Sequence, residues 1–178
     1  IPSGWQDDGN NIYLLGTTYD ELDGSAWAKD IHDHLGGQPP KLDLAKEKLL
    51  ADLLHGASIQ GLIESAHDLS EGGLGIAVLE ASLRFNVGAR IWLGDVLDRD
   101  GIDQTAALFS ESQTRVLVSV GREDDVKFQA LCDARGVPCL RIGVTDATSG
   151  LVEIKDIADL KLEDIRHSWS GVMSGLFG

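Results

Sequence analysis

The sequence has few of the residues that would tie it to an oxidising compartment or a membrane. Its two cysteines, Cys132 and Cys139, form neither a CxxC pair nor a zinc-ligand set, so reduced thiols are expected. No apolar run approaches the roughly 20 residues that cross a bilayer, and the start carries no secretory h-region. We therefore expect a cytoplasmic protein without a membrane partner, and a chain that starts at Ile1 is expected to be an excerpt.

Basic side chains are also scarce. Fifteen Lys and Arg against 29 Asp and Glu give a formal net charge of −14. Nucleic acids and anionic membranes are bound by basic faces, so neither is expected as a partner. A phosphorylated small molecule is compatible with the charge, because backbone N–H groups and Mg²⁺ can hold phosphate in an acidic protein.

The chain contains apolar segments with the period of a strand and others with the period of a helix. Strands are predicted at 12–15, 62–66, 88–93, 115–120, 139–144 and 151–154, and helices at 25–35, 43–57, 74–85, 104–108, 123–134 and along the terminal stripe Leu162, Ile165, Trp169, Val172 and Leu176. Residues 95–103 are interpreted as an acidic loop, and residues 1–10 as a linker or the remnant of a preceding domain. The alternation predicts one layered α/β or α+β domain at 11–178, with a parallel or a mixed sheet.

Residues 65–74 place a histidine, carboxylates, hydroxyls and a glycine pair at the turn from an extended segment into a helix. A helix start presents unpaired backbone N–H groups and the positive end of the helix dipole. Ser70 is a natural N-cap, and Gly72 and Gly73 lack the Cβ atoms that would keep a phosphate from the backbone. Asp68 is placed to hold a cation such as Mg²⁺, which a phosphate would share. The segment predicts a phosphate and metal site.

A structural explanation of the same residues stands beside this prediction. A Ser-Glu-Gly-Gly sequence before a helix also forms a simple cap and turn. Asp68 would then bond a loop backbone group, and His67 would be buried in the core.

Three ordered segments carry a resemblance to a known family. They are 12–25 (IYLLGTTYDELDGS), 65–74 (SAHDLSEGGL) and 108–115 (LFSESQTR). Their order and spacing resemble the C-terminal domain of the phosphoribosylformylglycinamidine synthase family, in its synthetase subunit (large, subunit II). That family belongs to the aminoimidazole ribonucleotide synthetase superfamily. The resemblance implies a three-layer α/β/α domain with a mixed sheet, partly ferredoxin-like in topology.

The resemblance also implies roles for single residues of the 65–74 segment. In the family the aspartate of this motif binds Mg²⁺ and the serine two positions later contacts nucleotide, which assigns those roles to Asp68 and Ser70. We predict that Gly72, Gly73 and His67 also bind nucleotide or phosphate, His67 because a neutral imidazole can donate to a phosphoryl oxygen. No catalytic residue is predicted, because the reacting histidine of the family lies in the other half of the enzyme.

Residues 111–113 form the second predicted contact surface. A related Glu-Ser-Gln segment in the first half of these enzymes binds the formylglycinamide substrate, so Glu111, Ser112 and Gln113 are predicted to bind substrate here. The Gln113 amide offers a donor and an acceptor. Glu111 could equally cap a helix, or pair with Arg115 four residues later.

Two other polar clusters are interpreted as structural. Ser25 is predicted to be an ordinary helix N-cap, because Asp23 stands where the family usually has a glycine and its charge disfavours phosphate. Asp30 and His34 share a helix face that His32 does not, so no metal site is expected there.

The resemblance implies an ATP-dependent synthetase, in which ATP phosphorylates the amide oxygen of formylglycinamide ribonucleotide and ammonia displaces the phosphate. This chain would supply one wall of a Mg-nucleotide site and would be inactive alone. The N-terminal half of the same enzyme, a glutaminase subunit and a small bridging subunit would be its partners. The alternatives are another ATP-using member of the superfamily, of the selenophosphate synthetase or hydrogenase maturation type, and a non-catalytic dimerisation or scaffold domain.

Overall fold

The computed structural model describes residues 1–177, and for 171–177 it describes the backbone alone. These residues form one sheet in the order β2-β4-β1-β5-β3-β6-β7. Its strands are β1 (Asn11–Leu15), β2 (Ser65–Asp68), β3 (Gly88–Ile91), β4 (Val116–Val120), β5 (Cys139–Asp146), β6 (Leu151–Ile154) and β7 (Ala158–Lys161). Strands β3 and β6 are parallel and the other neighbours are antiparallel. The predicted mixed sheet is confirmed.

Helices cover both faces of this sheet. They are α1 (Ala26–His32), α2 (Leu44–Ile59), α3 (Gly73–Phe85), α4 (Gly94–Asp100), α5 (Gln104–Phe109), α6 (Asp125–Arg135) and α7 (Leu162–Phe177). Side chains of a strand alternate between its faces, so Ile12 and Leu14 join a core with α3, α4 and α5. Tyr13 and Leu15 join a second core with α2 and α6. The three-layer arrangement is therefore confirmed.

Two predicted segments differ from the structure, one in its type and one in its bounds. The predicted acidic loop at 95–103 is mostly the helix α4, in which Val96 is fully buried while Asp95 and Asp98 face solvent. Only Val96 and Leu97 of its seven residues are apolar, so the sequence shows no helical period there. The extended segment predicted at 62–66 pairs with β4 only from Ser65, and it continues to Asp68.

Residues 1–10, interpreted as a linker or the remnant of a preceding domain, pack against the domain 11–178. Trp5 is 1% exposed and lies in the core beside α3. Its backbone N–H donates to the carbonyl oxygen of Ala81. The carbonyl oxygen of Pro2 accepts from the N–H of Ala66 on the edge strand β2. A single tryptophan in a polar segment gives no periodic signal, so only the tertiary structure reveals this contact.

The apolar stripe predicted at the end of the chain lies on α7, and only part of it faces the core. Leu162 is buried, whereas Trp169 is 51% exposed. The side chains of Val172 and Leu176 lie outside the described residues.

The sheet brings the predicted segments to one end. Leu15 and Asp68, the last residues of β1 and β2, both pair with Val116, the first residue of β4. The segments that follow β1 and β2 and the segment that precedes β4 therefore lie side by side. The start of β5 joins them, because Leu15 also pairs with Cys139.

Candidate functional site

Asp68 ends β2 with its carboxylate 79% exposed. It lines a cavity of about 300 Å³ together with His67, Ser70, Glu71, Ala77 and Glu80. The Ser70 hydroxyl donates to Asp68 Oδ2 at 2.6 Å and, as the largest cause, holds the pKa of Asp68 below its usual value, because it stabilises the charged form. An ionised carboxylate thus faces a concave surface beside α3. We call residues 67–72 the Asp68 corner.

His67 lies between β2 and α3, with 15% of its side chain exposed. Its Nδ1 is 2.7 Å from the backbone carbonyl oxygen of Asp68, and its Nε2 is 3.3 Å from Glu80 Oε2. Both ring nitrogens therefore have protein partners at the edge of the cavity. The imidazole is neither a buried core residue nor a freely exposed one.

The N–H groups of the glycine pair, which the sequence predicted to lie beside a phosphate, have acceptors within the protein. The N–H of Gly72 donates to Glu111 Oε1 at 2.9 Å, and the N–H of Gly73 donates to the carbonyl oxygen of Ser70 at 3.1 Å. Gly73 has a φ of +62°, and a Cβ there would lie 2.4 Å from the carbonyl oxygen of Ser110. The missing side chain thus admits the backbone that precedes β4.

Ser70 does not cap the following helix, so that prediction was wrong. Helix α3 begins at Gly73 with Gly72 as its N-cap, and no side chain accepts a hydrogen bond as a cap there. The Ser70 hydroxyl is turned to Asp68 instead. Ser25 is the N-cap predicted for α1, with its side chain accepting from the N–H of Ala28 at 3.2 Å.

Glu111 joins the Asp68 corner to helix α1. Its Oε1 accepts from the N–H of Gly72 at 2.9 Å and from the N–H of Ala26, the first residue of α1, at 2.8 Å. The hydrogen bond from Ala26 is consistent with helix capping, one of the two structural alternatives for Glu111. Arg115 is buried and donates instead to the carbonyl oxygens of Ser110 at 2.6 Å and Ser112 at 2.9 Å.

The structure separates the other two predicted substrate residues. Ser112 is fully buried, and its hydroxyl accepts from the N–H of Tyr19 at 3.0 Å and donates to the Tyr19 carbonyl oxygen at 3.3 Å. In this arrangement its side chain holds a loop and has no surface for a ligand. Gln113 is exposed, and its side-chain amide donates to the carbonyl oxygen of Glu111 at 3.2 Å.

Gln113 lines a second and larger cavity, which the sequence did not predict. This cavity measures about 980 Å³ and lies between the β1–α1 loop, the start of α2, residues 113–114 and the α6–β5 connection. Tyr19, at its rim, is 43% exposed, and Lys46 Nζ lies 3.2 Å from the Tyr19 hydroxyl. That hydrogen bond raises the pKa of Lys46. Asp68 and Ser70 lie on the smaller cavity, so the predicted site residues belong to two neighbouring surfaces.

Few groups in the described part of the chain suit a metal. No set of three His, Cys, Asp or Glu side chains converges there. Helix α1 ends at His32, so His34 does not share it with Asp30.

No helix of the described residues has both the length and the apolar character needed to cross a membrane.

The family model and the related sequences that match this chain point to the same family. Residues 7–156 match the family model "AIR synthase related protein, C-terminal domain". Phosphoribosylformylglycinamidine synthase subunit PurL of Leifsonia xyli subsp. xyli is 59% identical over all of this chain and 23% of that protein. The PurL of Renibacterium salmoninarum is 53% identical over 99% of this chain and 23% of its own length. The chain therefore spans about a quarter of the curated relatives it matches.

Solved structures share the fold. Thermotoga maritima PurL complexed with FGAR has a TM-score of 0.76 at 20% identity, over 93% of this chain and 29% of that one. Thiamine-monophosphate kinase from Stenotrophomonas maltophilia has a TM-score of 0.58 at 19% identity, over 87% of this chain and 52% of that one. The family model covers most of the chain and the fold agrees with it, and so the chain belongs to the family of AIR synthase-related proteins, as their C-terminal domain.

Proposed function

We propose that this chain is the C-terminal domain of a PurL synthetase. Such an enzyme converts formylglycinamide ribonucleotide, ATP and glutamine-derived ammonia to formylglycinamidine ribonucleotide in purine biosynthesis. The alignment with PurL over the whole chain at 59% identity supports this proposal. The superfamily alternatives are supported by fold alone, since thiamine-monophosphate kinase and a HypE-HypF complex share it at 19% and 20% identity.

The main support for a metal site is the side chain of Asp68, whose carboxylate is exposed and ionised. Mg²⁺ in nucleotide sites is usually held by one or two carboxylates together with substrate phosphates and water. One protein ligand from this domain fits that pattern, and the remaining ligands would come from the rest of the enzyme and from the nucleotide. Bound Mg²⁺ would neutralise charge on the transferring phosphoryl group.

The residues around Asp68 would prepare it for that role. Ser70 keeps one carboxylate oxygen bonded and favours the ionised form, and Oδ1 lies 3.9 Å from His67 Nδ1. We propose that Ser70 and His67 contact the nucleotide at the rim of the smaller cavity. The amides of Gly72 and Gly73 would support the turn and leave the phosphates to the cation.

The substrate side of the proposal rests on the larger cavity. Gln113 presents its side-chain amide there, beside Tyr19 and Lys46. A side-chain amide can bond both donors and acceptors of a polar ligand such as an amide or a ribose. Ser112 and Glu111 would act behind this surface, Ser112 by holding the backbone of Tyr19.

Partners of the whole enzyme are proposed from its relatives. Structures of Thermotoga maritima PurL are described as complexes with ATP, with FGAR and as PurLQS. We propose that the N-terminal half of the same enzyme closes the site from the other side. In the cytoplasm, a glutaminase subunit would supply the ammonia, and a small bridging subunit would be the other partner. The net charge of −14 disfavours nucleic acid as a partner.

Thermal unfolding of the chain with increasing Mg-ADP tests nucleotide binding. Saturation at about 100 times the dissociation constant should add roughly 2.7 kcal/mol to the unfolding free energy. Asp68→Asn should abolish this gain, because it removes the charge that holds the cation. Asp98→Asn, which changes an exposed carboxylate on α4, is the matched control and should retain it.

Chelation separates a cation-dependent site from a direct one. ADP with EDTA should give no stabilisation of the wild-type chain. Equal stabilisation by ADP with EDTA, or an unchanged response in Asp68→Asn, would refute the metal assignment. A chain that Mg-ADP does not stabilise at all would favour the scaffold alternative.

A further inference from the structure

Glu111 occupies a position between two functional surfaces that belong to distant parts of the chain. The N–H groups of Gly72 and Ala26 both point at the same oxygen, Glu111 Oε1, at 2.9 and 2.8 Å. Gly72 closes the Asp68 corner, and Ala26 follows directly on the loop that lines the larger cavity. Among the side chains that the structure describes, only Glu111 is hydrogen-bonded to both of these segments.

The surroundings keep this oxygen in place. Glu111 belongs to the segment 110–115, which the buried guanidinium of Arg115 binds through the carbonyl oxygens of Ser110 and Ser112. Burial lowers the pKa of Arg115 to about 10, although the nearby charges of Asp100, Glu21 and Glu111 oppose this decrease. Arg115 is therefore charged at neutral pH, and its charge lies near the carboxylates of Asp100, Glu21 and Glu111. The segment 110–115 is a fixed support for the carboxylate.

The same segment also fixes the larger cavity. Ser112 holds both the N–H and the carbonyl oxygen of Tyr19, and Arg115 donates to the Thr18 hydroxyl at 3.1 Å. Displacing Glu111 would remove one hydrogen bond from the start of α3 and one from the start of α1. Hydrogen bonds to an ionised acceptor are the stronger kind, so the link resists displacement.

We infer that Glu111 is a positioning residue, which fixes the Asp68 corner to the Tyr19 loop and makes the two cavities respond as one unit. The inference rests on the proposed function only where nucleotide binding is measured. It differs from the role that the family resemblance implies for this residue, because Glu111 here acts through Gly72 and Ala26 and not on the substrate.

Hydrogen exchange of the Gly72 and Ala26 amides tests the inference. Glu111→Ala removes the shared acceptor, so protection of both amides should fall by about ten-fold or more, the equivalent of losing a charge-assisted hydrogen bond. Glu111→Gln keeps an oxygen in the same place and should hold both amides within a few-fold of wild type. Glu111→Asp is one methylene shorter and cannot span both amides, so it carries the test where Glu111→Ala does not fold.

Asp103→Ala is the matched control. Asp103 caps only α5, by accepting from the N–H of Ala106 at 2.8 Å. Asp103→Ala should leave the exchange protection of the Gly72 and Ala26 amides unchanged, once any change in the global free energy of unfolding is subtracted. An equal fall in the control, or unchanged protection of either amide in Glu111→Ala, would overturn the inference.

A second readout concerns ligand affinity. Glu111→Ala should weaken Mg-ADP binding although it leaves Asp68 and Ser70 intact, and Glu111→Gln should restore it. Asp103→Ala should bind like the wild type. If the wild-type chain binds no Mg-ADP, the proposed function fails, and the exchange experiment still decides the role of Glu111.

Discussion

Replacing Gly73 by alanine tests why this position is a glycine. The residue could be needed for close packing of the backbone or for the approach of a ligand. Gly73 has a φ of +62°, and a Cβ there would lie 2.4 Å from the carbonyl oxygen of Ser110 and 2.9 Å from that of Leu108. Both obstacles are backbone atoms, which cannot rotate away as a side chain would. The substitution must therefore move the start of α3 away from the segment that precedes β4.

The magnitude follows from two contributions. A non-glycine residue in the left-handed region costs about 1–2 kcal/mol. Forcing an extra methyl group into a packed region costs about 1–3 kcal/mol more. Gly73→Ala should thus lower the free energy of unfolding by about 2–5 kcal/mol. This is a large part of the roughly 5–15 kcal/mol that stabilises a typical domain.

Two glycines provide the controls. Gly24 has a φ of +68°, and a Cβ added there would have no atom within 4 Å, so Gly24→Ala should show the conformational cost alone, about 1–2 kcal/mol. Gly94 begins α4 in open space, and Gly94→Ala should be neutral or stabilising by up to about 1 kcal/mol.

Urea unfolding of the three variants is the assay. A loss in Gly73→Ala no greater than that in Gly24→Ala would refute the packing argument. If Gly73→Ala also lost Mg-ADP affinity while keeping the stability of Gly24→Ala, the glycine would serve the approach of a ligand.

Three further outcomes are expected. Arg115→Met should cost about 3–5 kcal/mol in urea unfolding, because it leaves buried carbonyl oxygens unpaired, whereas the exposed control Arg135→Met should cost less than about 0.5 kcal/mol. Hydrogen bonds from Thr148 are the largest cause that lowers the pKa of Asp146, so this group stabilises the fold above the carboxyl pKa of the unfolded chain. The stability deficit of Asp146→Asn should therefore be full at neutral pH and shrink as the pH falls below about 4, and a constant deficit would contradict this. The purified chain should form no amidine from ATP and ammonia, and activity that Asp68→Asn abolishes would show a complete site in these residues.

The long elements could be predicted because their burial is periodic. Helix α2 was predicted at 43–57 and runs from Leu44 to Ile59, and α6 was predicted at 123–134 and runs from Asp125 to Arg135. Strand β4, with alternate valines, was predicted within a residue. The short elements α4 and β7 were missed, because each contains only two apolar residues and therefore shows no clear period.

The sequence indicated exposed polar residues that could form a site, but it could not show their hydrogen bonds. The sequence indicated Asp68 and Gln113, and both are exposed on cavities. It could not show that Gly72 is bonded to Glu111, because 39 positions separate the two residues and only the sheet brings them together. The larger cavity was missed for the same reason, since its wall comes from four separate segments.

The bond between Gly72 and Glu111 changes how an anion can bind to this acidic domain. A helix start attracts negative charge, and here a carboxylate of the protein already lies beside the start of α3. A phosphate at the same N–H would have to displace Glu111 and lie close to Asp68, with like charges repelling at short range. A cation on Asp68 turns that repulsion into attraction without moving Glu111. The hydrogen bonds of this helix start therefore support the proposed cation on Asp68 independently of any likeness to a known enzyme.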